Sequence, residues 1–117
     1  VATSISHDSH NIIVVGTNEA GMAAAVNRVV ELNGGIVVWD GGAPIAEVPL
    51  AIAGIMSDEP LETVNEKLES AKEQAHGLGV GQGIDPFMTL SFMALPVIPS
   101  LRITTRGVFD VGSQSYV

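Results

Sequence analysis

The chain of 117 residues is 46% hydrophobic and only 15% charged, and thirteen acidic against five basic side chains leave a net charge of −8. This length encloses one core with little left for a second, and a charge content below the roughly 25% of an average soluble domain implies that part of the surface is covered by something else. Arg28, Lys67, Lys72, Arg102 and Arg106 are scattered, which argues against nucleic acid as a partner, and the lack of cysteine excludes a disulfide framework or a thiolate metal site.

Ser4 to Asn18, SISHDSHNIIVVGTN, joins the densest cluster of reactive side chains to an apolar, β-branched run, Ile12 to Val15. Bounded by Asn11 and Gly16, that run reads as a strand covered on both faces, as in a parallel sheet. Met22, Ala25, Val26, Val29 and Val30 recur at intervals of three and four and mark the buried stripe of a helix over about 18–33. Thr17 or Asn18 caps its start and Gly34 closes its end. Ile36 to Trp39 is a second β-branched run, so residues 12–40 read as strand, helix and strand in a parallel crossover. Asp40, Gly41 and Gly42 supply a hairpin turn, with Ile45 to Leu50 as the return strand. Pro44 and Pro49 place that strand at an edge or at its own ends, because proline cannot donate to a ladder. The expected fold class is α/β, a single domain over 1–117 with a mixed β-sheet and two main packing helices.

Ser57, Asp58 and Glu59 ahead of Pro60 open the second helix, over about 60–76. It is expected to bury Leu61, Val64, Leu68, Ala71 and Ala75 and to turn Glu62, Glu66, Glu69, Lys72 and Glu73 to solvent, with His76 near its negative end. Gly77 to Gly83, GLGVGQG, follows a helix and opens none, so it reads as a connector and not a phosphate-binding loop. Asp85 to Ser100, DPFMTLSFMALPVIPS, is nearly all apolar and fits either a buried strand or a short helix that stops at Pro96 and Pro99. Leu101, Ile103 and Thr105 alternate as a last strand with a turn at Gly107, and GSQSYV is expected to fray. The amino end has no basic start or apolar middle of a signal peptide, and no apolar stretch nears the ~20 residues that span a bilayer. A cytoplasmic location with no membrane partner is expected.

The candidate site residues are His7, Asp8, His10 and Asn11. Imidazoles three apart face opposite sides of an extended strand, so His7 and His10 reach one centre only if the segment bends, which Asp8 and Ser9 favour. Asp8 is then placed to orient an imidazole through a carboxylate hydrogen bond. A metal centre needs three or four ligands and nothing elsewhere in the chain supplies the rest, so no metal site is assigned here. No GxSxG turn supports a serine hydrolase triad, and an HD-type metal phosphohydrolase would carry such a cluster on helices. The competing reading of the cluster is a polar edge segment whose side chains satisfy backbone groups or brace an interface.

SISHDSHNIIVVGTN, AVNRVVELNGGIVV, PLAIAGIMSDEP, DPFMTLSFMALPVIPSLRIT and RGVFDV, in this order, resemble the carboxyl-terminal domain of bacterial and archaeal adenine deaminases of the amidohydrolase superfamily, over essentially all of residues 3–111. The resemblance implies hydrolytic deamination of adenine to hypoxanthine and ammonia in purine salvage. It implies a binuclear iron or manganese centre held by a preceding barrel domain, so that this chain alone is inactive and its partners are that barrel, adenine and further copies in a homo-oligomer. His7, Asp8, His10 and Asn11 then line the mouth of the pocket or brace the domain interface, and no catalytic residue is assigned in this chain. The alternatives are a non-catalytic interaction or oligomerisation module and an independent small-molecule-binding domain. An exposed patch containing Phe87, Met88, Phe92 or Met93 would favour a missing partner domain.

Overall fold

A computed structural model describes residues 1–117. The chain runs β1 (Ala2–Thr3), β2 (Ile13–Val14), α1 (Glu19–Glu31), β3 (Gly35–Asp40), β4 (Ala43–Pro49), α2 (Leu61–Gly77), α3 (Pro86–Phe92), β5 (Leu101–Thr104), β6 (Gly107–Asp110) and β7 (Ser115–Tyr116). The main sheet has the order β2-β1-β3-β4, and β5-β6-β7 form a second, smaller sheet.

Residue alternation along β3 sets the layers. Ile36 and Val38 join Val48, Leu50, Ala71, Ala75 and Phe87 in one apolar cluster, whereas Val37 joins Ala2, Ala25 and Val29 in another. Helix α2 therefore covers one face of the sheet and α1 the other. Each large side chain so buried contributes roughly 1.5–3 kcal/mol through apolar area removed from water. The fully buried Ala71 and Ala75 let α2 approach the sheet closely.

The strand covered on both faces is thus β3, not Ile12 to Val15. Only Ile13 of that run is buried, and Ile12 and Val15 are exposed at the sheet edge. The crossover β2–α1–β3 does join two strands of the same direction, since both pair antiparallel with β1. They are not neighbours, however, because β1 lies between them. With β3 and β4 also antiparallel, every hydrogen-bonded pair is antiparallel and the expected mixed sheet does not form. The inserted strand is two residues, Ala2 and Thr3, which carry no apolar run to announce them.

Asn18 caps α1, its Oδ1 accepting from the Gly21 N–H at 2.7 Å. At the other end Asn33 takes the left-handed conformation with φ of 59°, and its N–H bonds Val30 O while that of Gly34 bonds Val29 O at 2.9 Å, the paired closure of a Schellman motif. Gly34 has a different task. A Cβ there would collide with Gly54 Cα and come within 3.0 Å of Leu50 O, so glycine permits the loop after β4 to lie against the helix end. Gly41 and Gly42, with φ of 57° and 88°, make the turn between β3 and β4, and β4 is an edge strand as its prolines require.

Helix α2 keeps the expected span, but Leu61, expected to be buried, is 78% exposed, and the buried residues of the helix are Ala71 and Ala75 in its second half. The apolar stretch after Asp85 resolves as helix α3. Asp85 Oδ1 accepts from the Phe87 and Met88 N–H groups at 3.1 and 2.9 Å, and Pro86 occupies the first turn, where its missing N–H costs nothing. The tail does not fray. Ser115 and Tyr116 pair with β6, Phe109 meets Tyr116 edge-on at 5.2 Å, and the Arg106 guanidinium sits 4.9 Å from the Tyr116 ring centre.

Candidate functional site

The segment between β1 and β2 turns back on itself. The His10 N–H bonds Ser6 O at 2.6 Å, the Ser6 N–H reaches His10 Nδ1 at 3.4 Å, and His10 adopts a φ of 51°. This bend brings the two imidazoles to one side, with ring centres 5.9 Å apart. The His7 N–H is anchored on Ser91 O of α3 at 3.0 Å, and its ring stacks on Phe92 at 4.8 Å with an interplanar angle of 21°. Asn11 Nδ2 donates to Ser9 Oγ at 3.1 Å, which braces the far side of the turn.

The four candidates then part into two pairs. Asp8 and Asn11 line a cleft of about 350 Å³, together with Ser6, and face Ala94, Ile103 and Thr104 across it. His7 and His10 do not line that cleft. His7 instead extends the exposed stripe of α3, where Met88 and Phe92, four residues apart, are 53% and 37% exposed; of the other two residues singled out in the sequence, Phe87 is buried and Met93 half-buried. A larger depression of about 810 Å³ near the start of α1, between Asn18, Met22 and Trp39, has Asp40 as its one ionisable side chain.

Helix α3 is fixed in position by its cap. Burial works to raise the Asp85 carboxyl, but the Met88 amide and the Lys72 ammonium outweigh it and hold the group below the usual carboxylate range. Lys72 Nζ lies 3.3 Å from Asp85 Oδ2 and 3.2 Å from Glu69 Oε1, which ties α3 to α2. The hydrogen bond to Glu69, set against the cost of burial and aided by Asp85, raises the Lys72 ammonium above its ordinary value.

No group of three or more histidine, aspartate or glutamate side chains converges in a way that could hold a metal ion. These residues do not fit a metal centre, and no chemistry on this chain is routed through one. What the cleft offers is hydrogen bonding between apolar walls. Its polar groups are hydroxyls, an amide and one carboxylate, with no lysine, arginine or histidine among its lining residues. Such a lining, with a carboxylate and no cation, suits a molecule that presents N–H groups better than an anion.

The sequence singles out Asp8 and Asn11 and holds Ser6 in the same reactive cluster without distinguishing it, but it gives no sign of Ile103 and Thr104 in the lining. Those residues are distant in the chain and meet only because β5 returns past Met93, whose carbonyl accepts from the Ile103 N–H at 2.9 Å. No helix of the structure is long and apolar enough to cross a membrane.

Fold and cleft together define a small α/β domain with an open cleft and an exposed apolar stripe beside it. The sequence model of the adenine deaminase C-terminal domain matches residues 1–115, and the chain belongs to that family. It is 49% identical over 117 residues to the adenine deaminase of Bacillus subtilis strain 168, a match covering 100% of this chain and 20% of that protein. It is 50% identical over 117 residues to that of Bacillus licheniformis, with the same coverage. To the adenine deaminase of Methylobacterium sp. strain 4-46 it is 52% identical over 111 residues, 95% of this chain and 20% of that protein. The chain thus spans about a fifth of the length of these curated relatives.

Proposed function

We propose that this domain forms one wall of the adenine site in a larger hydrolytic adenine deaminase, with Asp8 and Asn11 as substrate-side residues. In the net reaction adenine and water give hypoxanthine and ammonia: a C–O bond forms at the purine carbon that bears the amine, and the C–N bond breaks. Protons pass to the ring and to the departing nitrogen. Asp8 would accept an N–H of the purine, Asn11 would meet a ring nitrogen, and Ile103 with Ala94 would bound the ring. His7 and His10 would brace the interface with the preceding barrel domain, whose iron or manganese centre lies outside this chain. The reading includes a cytoplasmic, homo-oligomeric enzyme and an inactive isolated domain.

The observation that carries this reading is the open cleft with Asp8 and Asn11 on one wall and no cation in its lining. In the full-length enzyme, Asp8→Asn and Asn11→Ala should each lower kcat/KM by about tenfold or more, of the order given by loss of a hydrogen bond to a charged or polar partner. Unchanged kcat and KM in both variants would refute it. His7→Ala should leave KM near its parent value while weakening domain association, in keeping with its ring lying on Phe92.

A further inference from the structure

The larger depression, of about 810 Å³, touches both layers of the domain. Trp39, which packs in the layer under α1, and Met22 of that helix line it on one side. Ala75 and Val80, which pack in the layer under α2, line it on the other. A hollow that meets both layers lies in the plane of the sheet, as a gap between strands and not a pocket on one face.

The hydrogen-bonded ladder shows which strand stops short. Strand β1 lies between β2 and β3. The Val1 nitrogen donates to Val15 O and the Val15 N–H to Val1 O, each at 2.9 Å, and Ala2 stands opposite Val37. Beyond that point β3 continues through Trp39 and Asp40, and Gly16 and Thr17 follow Val15 on the other flank. All four line the depression. The N–H and C=O groups of Gly16 and Thr17 bond no other backbone group. The chain matches a C-terminal domain and covers 20% of the length of its Bacillus relatives, so in those proteins polypeptide precedes the position of Val1.

We propose that the two residues directly ahead of Val1 in the longer polypeptide continue β1 as an extended strand and fill this depression, so that the rest of the enzyme enters the domain through the middle of its main sheet. This rests on the chain being part of a longer polypeptide and not on what the cleft binds. Antiparallel alternation fixes the partners. The first residue ahead of Val1 falls opposite Trp39 and exchanges hydrogen bonds with it, continuing the series in which the Ser4 N–H bonds Gly35 O; its side chain turns with that of Ala2 toward α1. The second exchanges hydrogen bonds with Thr17 and stands opposite Asp40 in a non-hydrogen-bonded pair, its side chain turned with that of Val1 toward Val80. Apolar walls on both sides fit small or apolar residues at the two positions.

The test is disulfide trapping in the full-length enzyme. A cysteine at the second position ahead of Val1, combined with Asp40→Cys, stands in the close pairing with Cα atoms ~4.5 Å apart that a disulfide spans. Mild oxidation should join the two in most molecules, read as a linked peptide by mass spectrometry. Moving the first cysteine one position nearer Val1 puts it on the other face of the sheet and should cut the linkage by at least about tenfold. Equal linkage from both positions, or none from either, overturns the proposal. Amide exchange in the unaltered enzyme gives an independent reading. Corrected for intrinsic rates, the Thr17 and Trp39 amides should exchange at least about tenfold more slowly than that of exposed Gly83; exchange of both at the rate of Gly83 overturns the proposal as well.

Discussion

At the scale of single residues, identical side chains do unlike work. Ser4 and Ser6 sit two apart in one segment, but the first ties the start of β3 to the loop around Gly54 while the second is buried with no partner for its hydroxyl. Asp85 shows how one carboxylate sets a local structure. Replacing it with alanine should cost about 0.5–2 kcal/mol, the usual range for an N-cap, measured by urea unfolding at pH 7. Because its folded pKa lies below the ordinary 3.8, the ionised carboxylate stabilises the fold at and above that pH. Its advantage over Asp85→Ala should fade as pH falls through the lower folded value; an advantage that persisted in strong acid would show that charge is not the cause. Asp8 and Asn11 were legible as candidates because reactive groups cluster there. Ser6 was not, since what distinguishes it from Ser4 and Ser9 is burial without a partner, a property of packing.

At the scale of elements, period and caps carried most of the information. Both long helices follow from apolar spacing, and Asn18 and the turn at Gly41–Gly42 act as their chemistry dictates. The apolar stretch after Asp85 could not be assigned from period alone, although the pair Asp85–Pro86 already had the form of a helix start. Spacing also overstates burial at the start of α2, where Leu61 is exposed. Val29→Ala, in the fully buried stripe of α1, should cost roughly 2 kcal/mol or more, whereas Leu61→Ala in the exposed first turn of α2 should stay within about 0.5 kcal/mol. Equal losses in urea unfolding would contradict the layer assignment. Strand β1 was beyond reach for a different reason: two residues have no period, and their place in the sheet depends on a partner, Ile36–Val37, contributed by a later strand.

At the scale of the whole molecule, Met88 and Phe92 on α3, with the His7 ring laid on Phe92, form an apolar surface suited to the rest of a longer polypeptide. Amide exchange in α3 should be at least about tenfold slower in the full-length enzyme than in the isolated domain, and Met88→Ser combined with Phe92→Ser should abolish the difference. Equal exchange in the two proteins would show that this stripe stays uncovered. The order of the main sheet bears on how the domain is made. Ala2 and Thr3 leave the ribosome before either neighbour, and at about 5–20 residues per second the second of those neighbours emerges only after α1 has been synthesised. Until then β1 has an unfilled berth on one flank, and the turn bearing Ser6, Asp8 and Asn11 hangs from a seam not yet sewn. For the same reason, a substitution that dislodged Ala2 and Thr3 would detach β2 from its only neighbour in the sheet and undo the cleft from behind.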